Sequence, residues 1–246
     1  MKLSQKIIQW LQDWFTKNHR KTAVIGISGG KDSAVVAGLC KEALGSQNVV
    51  GIMMPNGVQA DISDSEQVVN ELGIRSGVAN IKPAYDAILQ CVEDALGYQV
   101  SDGAKINIAP RIRMTVLYAI SQTISETEAA QACVVGTGNR GEAEVGYTTK
   151  HGDSACDVNP IRNLWVDTVL QVGDELGYCP QVVHKAPSDG LCGKTDEDRL
   201  GFSYAQVKAA FTGGDVPAEQ LTKIMKAHAA SEHKRGLPDT FPYEDC

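Results

Sequence analysis

The chain has no long apolar run, no cysteine pair at metal or redox spacing, and no excess of positive charge. Each absence removes a class of protein. A membrane span needs about 20 apolar residues in a row, and none exists here. Ser4, Gln5, Lys6 and Gln9 interrupt the N-terminus, so it lacks the core of a signal peptide. The cysteines, Cys40, Cys91, Cys133, Cys156, Cys179, Cys192 and Cys246, are odd in number and none stands in C-x-x-C. That argues against a zinc site or a disulfide framework, and is expected of reduced, mostly structural thiols in a cytoplasmic protein. The net charge of −7 has the wrong sign for a broad nucleic-acid surface, although a few local cations suffice for a small anion. His19, His151, His184 and His228 have no paired ligand spacing, and internal repeats, low-complexity segments and linkers are missing.

What remains is 246 residues, 43% hydrophobic and 22% charged. That is ample for one α/β domain with a core that needs no disulfides. Leu3, Ile7, Ile8, Trp10, Leu11, Trp14 and Phe15 recur at helical spacing and predict an amphipathic first helix. Apolar runs at 22–27, 48–54 and 77–81, separated by helical stretches, predict a right-handed β-α-β-α-β start. Helices follow over 83–96 and 106–124, with a polar, mobile stretch at 98–105. Residues 132–135 read as a fourth parallel strand, 164–176 as a helix, and Gln181-Val182-Val183 as a fifth strand. Residues 187–201 are loop-like, and helices over 204–211 and 217–233 close the chain. The expected fold is therefore a single-domain, Rossmann-like parallel sheet of five strands flanked by helices.

The most informative stretch is Gly26-Ile27-Ser28-Gly29-Gly30-Lys31-Asp32-Ser33, between the first strand and the next helix. Glycines allow positive φ and close approach of backbone N–H groups, and the helix start favours an anion. The spacing fits neither G-x-x-x-x-G-K-[ST] nor G-x-G-x-x-G. Ser-Gly-Gly-x-Asp-Ser after a strand resembles the PP-loop of N-type ATP pyrophosphatases, which belong to the adenine nucleotide alpha hydrolase-like folds and split ATP between its α- and β-phosphates. The resemblance implies that Gly26 to Ser33 bind ATP, with Asp32 holding Mg²⁺.

The second half narrows the resemblance. Gly136-Thr137-Gly138-Asn139-x-x-Glu142 precedes Gly146-Tyr147-x-Thr149-Lys150-x-Gly152-Asp153-x-x-x-Asp157-x-Asn159-Pro160. Lys185-Ala186-Pro187-Ser188, Thr195-Asp196-Glu197 and Glu232-His233-Lys234-Arg235-x-x-Pro238 follow. In this order, over nearly the whole chain, they resemble the NAD synthetases, which adenylate the nicotinate carboxylate of deamido-NAD⁺ with ATP and then displace AMP with ammonia. The resemblance implies Mg²⁺ on Asp32 and Glu142, and ATP on Thr137 and Ser188 besides the glycine loop. It also implies deamido-NAD⁺ on Arg111, Lys150, Asp157, His233 and Lys234. Catalytic roles fall to Asp32, Lys150 and Asp153, the last as proton acceptor from ammonium. The family implies a homodimer with the dinucleotide at the interface. Because the first strand begins at Thr22, no glutaminase domain is expected ahead of it, and free ammonia is the expected nitrogen source.

Other functions stay open on the residues alone. A different PP-loop ligase, such as a GMP-synthetase-like amidator or a tRNA-modifying thiolase, shares the loop, although paired cysteines and a basic surface are missing. A nucleotide-binding protein without catalysis is a third possibility. Its support is Val166, where NAD synthetases commonly carry a Lys near the ATP phosphates; Lys31 or Lys185 are the candidate substitutes. Arg113, beside Arg111, reads equally well as a solvated surface charge.

Overall fold

The computed structural model describes residues 1–59, 62–128, 130–185, 196–238 and 240–241. Ser188 and the rest of 186–195 lie outside the described residues. In chain order the elements are α1 (Leu3–Lys17), β1 (Thr22–Gly26), α2 (Lys31–Leu44), β2 (Val49–Met53), α3 (Ile62–Leu72), β3 (Arg75–Val78), α4 (Lys82–Leu96) and α5 (Asp102–Thr127). Then come β4 (Ala132–Val134), α6 (Arg140–Val145), α7 (Val166–Leu176), α8 (Pro180–Val183), α9 (Asp196–Leu200), α10 (Tyr204–Thr212), α11 (Ala218–Ala230) and a 3-10 turn, Glu232–Lys234.

The strands pair in parallel in the order β3-β2-β1-β4. Ala23 and Ile25 of β1 join the core cluster under α1, α2 and α7, whereas Val24 joins the cluster under α5. Burial on both faces explains why β1 and β2 are nearly uninterrupted apolar runs. On α1, Ile7, Leu11 and Phe15 are buried one turn apart, as the helical spacing predicts, while Trp10 is exposed. A smaller cluster under α10 and α11 contains Trp165, Phe202, Val207 and Ile224. The order of strands reverses between β1 and β4. The crevice beyond their carboxyl ends is therefore the place where this fold binds ligands.

The expected fifth strand is not one. Val182 and Val183 are buried, but on α8, against Gly173 of α7. The cause is Pro180, which lacks an N–H for a ladder and suits the first position of a helix, behind Cys179 at φ 49°. The open side of β4 is covered instead by residues 157–158. Asp157 N donates to Val134 O (2.9 Å), Val134 N donates to Asp157 Oδ2 (2.7 Å), and Gly136 N donates to Val158 O (2.8 Å).

Other boundaries move for local reasons. α5 begins at Asp102 inside the expected mobile stretch, because the Ser101 hydroxyl accepts the Ala104 N–H and caps it. β3 ends at Val78, earlier than expected, and its exposed pattern is that of an edge strand. Residues 196–200, expected as loop, form a helical turn with Asp196, Glu197 and Asp198 at its positive end.

Candidate active site

β1 delivers the chain to the crevice, and the glycine loop turns it into α2. Gly29 has φ +79°, and a Cβ there would stand 3.0 Å from Asp64 Cβ and 3.1 Å from Ser65 N. Only glycine allows both this backbone and the approach of α3. Ser28 and Ser33 lock the turn: their hydroxyls stand 3.2 Å apart, Ser33 Oγ donates to Gly30 O (3.0 Å), and Gly30 N donates to Ser28 Oγ (3.3 Å). Gly30 caps α2 without a side chain, so the first N–H groups of that helix remain for a ligand.

Across the crevice, α6 follows β4 after the turn at 135–139. Its cap is Asn139, which is fully buried. Asn139 Oδ1 accepts the Glu142 N–H (3.1 Å), and Glu142 Oε2 accepts the Asn139 N–H (2.9 Å), a reciprocal capping box. The same side chain donates from Nδ2 to Asp32 Oδ1 at 3.3 Å. One buried amide thus brackets two carboxylates from opposite sides of the crevice. A cleft of about 130 Å³ lies between them, lined by Ser28, Gly30, Asp32, Ser33, Thr137, Gly138, Glu142 and Asp153.

Electrostatics agree with the geometry. Burial, and then the Asp32 carboxylate beside it, hold the Glu142 carboxyl well above the usual range. Lys31 is held above its ordinary value; burial works against its charge, but Asp32, with which it pairs at 2.9 Å, prevails. Among the described residues the Tyr204 hydroxyl is buried without a hydrogen-bond partner, and burial, then the Glu142 charge, push its ionisation up.

These residues fit a Mg²⁺ ion. Two hard carboxylates that repel each other, with an orphaned buried hydroxyl beside them, match a cation that takes its remaining ligands from phosphate and water. Among the described residues no group of three His, Cys, Asp or Glu forms a closed metal site.

The other expected residues stand elsewhere. Arg111 is exposed and donates from Nε to Lys150 O (3.3 Å), so these two adjoin. Asp153, by the cleft, accepts the Thr149 N–H at 2.7 Å. Asp157 caps the edge of β4 and accepts a hydrogen bond from the Tyr118 hydroxyl (3.3 Å). Lys234 donates from Nζ to Gly146 O (2.8 Å) and Thr148 O (2.7 Å). This docks the C-terminal turn on the loop after α6, a contact only a glycine at 146 allows, since a Cβ there would lie 2.0 Å from Ser231 Cβ. His233, next to it, is exposed. The two proposed substitutes for a lysine at 166 already have partners: Lys31 pairs with Asp32, and Lys185 with Asp64.

Sequence reasoning passed over Asn139, although Asn-x-x-Glu before a helix is a capping-box pattern. Arg113, which read equally well as a solvated surface charge, is half-buried: its Nε donates to Met54 O (3.0 Å), and burial holds its guanidinium below its ordinary value, with Asp153 opposing.

A glycine turn that opens a helix at the switch point, faced by bracketed carboxylates, defines a PP-loop nucleotide-cleaving α/β enzyme. The model of the NAD synthase family matches residues 3–238, and the chain belongs to that family. The NH(3)-dependent NAD(+) synthetase of Carboxydothermus hydrogenoformans is 34% identical over 96% of this chain and 95% of its own. Among solved structures, NMN synthetase from Francisella tularensis is 34% identical, with a TM-score of 0.88 over 98% of this chain and 97% of its own. NH3-dependent NAD synthetase from Campylobacter jejuni is 25% identical, with a TM-score of 0.79 over 97% of each chain. Among the described residues no helix is long and apolar enough to cross a membrane.

Proposed function

We propose that this chain amidates the nicotinate carboxylate of deamido-NAD⁺ with ATP and ammonia, yielding NAD⁺, AMP and pyrophosphate. The observation that carries this is the Asn139 bracket, which holds Asp32, at the end of a loop shaped for phosphates, across from Glu142. A carboxylate oxygen bonds to the α-phosphorus while the bond to pyrophosphate breaks. Ammonia nitrogen then bonds to the acyl carbon, the bond to AMP breaks, and the surplus proton leaves.

The loop Gly26 to Ser33 grips the departing pyrophosphate through its N–H groups and hydroxyls, with Thr137 opposite and Ser188 as a further hydroxyl. Mg²⁺ held by Asp32 and Glu142 would offset the charge of two anions brought together. Arg111 and Lys150 orient the nicotinate end, with Asp157, His233 and Lys234 along the remainder of the dinucleotide. Asp153 accepts the proton from ammonium. Both leaving groups are good, so positioning carries most of the rate.

A homodimer that completes the dinucleotide site fits the outer helices. α4 has no buried residue, and Ile88, Leu96, Tyr98 and Ile106 are exposed on α4, α5 and their link. Such a patch favours a second copy.

A narrower substrate is a specific alternative. The likeness to an NMN synthetase, at a TM-score of 0.88, favours nicotinate mononucleotide as the carboxylate. Purified protein with ATP, Mg²⁺ and ammonium or glutamine separates the readings. NAD⁺ in equal amount with AMP and pyrophosphate, from ammonium far better than from glutamine, supports the first. A higher kcat/KM for the mononucleotide supports the alternative. No amide from either overturns both.

A further inference from the structure

Among the described residues, the lining of the cleft includes no cationic side chain. Asp32, Glu142 and Asp153 line it, a nucleoside triphosphate adds several negative charges, and Lys31 is already neutralised by Asp32. Val166, the first residue of α7, has neither charge nor donor. One guanidinium nevertheless adjoins Gly138, whose backbone lines the cleft. A Cβ on Gly138 would lie 3.6 Å from Glu142 Oε2 and 3.9 Å from Arg162 Nη1. Gly138 carries no side chain, so the guanidinium approaches a backbone that lines the cleft, and its charge also acts on the Cys156 thiol. Among the described residues Arg162 has no hydrogen bond and no ion pair, although it is only half-exposed.

Its segment is held firmly. Asn159 Nδ2 donates to Gly138 O (3.0 Å), and Asn159 Oδ1 accepts the Ile161 N–H (3.0 Å). Leu164 O accepts the Arg140 N–H (2.9 Å), and the Arg140 guanidinium lies 4.4 Å from the centroid of the Trp165 ring. A long cationic side chain without an acceptor, on a turn pinned at both ends to the walls of an anion site, is organised in advance for an anionic ligand.

We infer that Arg162 binds the phosphate chain of ATP from the Gly138 side, opposite the glycine loop, and supplies the cationic contact that Val166 cannot. The inference rests on the proposed function only for the identity of the nucleotide. Among the described residues the guanidinium makes no ion pair, so its charge is available to the phosphates. The guanidinium offers two parallel donors to phosphate oxygens, a geometry that a lysine does not reproduce in full.

The test is direct binding of ATP and of inorganic pyrophosphate, with Mg²⁺, to the full chain and to Arg162→Gln and Arg162→Lys, by calorimetry. Circular dichroism checks that each variant folds. A charge-assisted contact predicts that Arg162→Gln weakens ATP about 10- to 100-fold, while deamido-NAD⁺ affinity changes less than about 2-fold. Arg162→Lys should fall between Gln and the wild type. Unchanged ATP affinity in folded Arg162→Gln overturns the inference. So does an equal loss for ATP and dinucleotide, or a Lys variant no better than Gln. If the wild type binds ATP and loses that binding in Arg162→Gln but forms no amide, the function fails and the arginine assignment stands.

Discussion

The two halves of the site are built in different ways. The nucleotide half is tied together within one chain: Ser28 with Ser33, Asn139 with both Asp32 and Glu142, Asn159 with the backbone of Gly138. The residues proposed for the dinucleotide lie largely at the surface. Arg111 and His233 are exposed, Asp157 satisfies the edge of the sheet, and Lys234 clamps two carbonyls. Under the proposed roles, the phosphate contacts are organised in advance by the fold, whereas the contacts to the second substrate lie largely at the surface.

The sharpest way to break this contrast lies in the nucleotide half. Asp32→Asn and Glu142→Gln should each lower kcat by about 10³-fold or more with the fold intact, since each removes half of the charge holding the cation; steady-state rates and circular dichroism check both. Asn139→Ala should come next. It removes the cap of α6 and the bracket together, costing about 1–2 kcal/mol of stability. The loss of kcat should be about 10²-fold, measured alongside thermal unfolding.

The other half should respond in KM. Arg111→Ala is expected to raise KM for the dinucleotide about 10-fold while ATP affinity stays put. An equal shift in both would show that the halves are not separable. Ile106→Glu places a charge on the exposed apolar patch. It should shift sedimentation toward monomer and raise the dinucleotide KM with it, leaving ATP binding unchanged. The smallest effect is reserved for Val166→Lys. With Arg162 already serving the phosphates, it should change ATP affinity by less than about 3-fold, because a new cation at a helix start also opposes the helix dipole.

How much of this was legible in the sequence follows the same division. The glycine loop is local, and its conformation depends on Gly29 and the strand before it, so residue types reveal it. The buried strands β1 and β2 were legible for the same reason, as continuous apolar runs. Gln181-Val182-Val183 misled because buried helix and strand share composition; Pro180 was the signal that decides between them. Asn139 was visible as a motif letter, but its contact with Asp32 joins residues 107 positions apart. Arg162 follows the Asn159-Pro160 pair but matches no motif position itself. Only the folded turn at 159–164 brings it beside Gly138.

The most direct test of the central claim, that this cleft adenylates a nicotinate carboxylate, is isotope transfer. Deamido-NAD⁺ or nicotinate mononucleotide labelled with ¹⁸O in the carboxylate is turned over with ATP, Mg²⁺ and ammonium, and the AMP is weighed by mass spectrometry. Adenylation of the carboxylate puts one ¹⁸O in each AMP and none in pyrophosphate, with the label lost in Asp32→Asn along with the turnover. Amide formed with unlabelled AMP would contradict it, because the carboxylate oxygen would then never have joined the α-phosphorus.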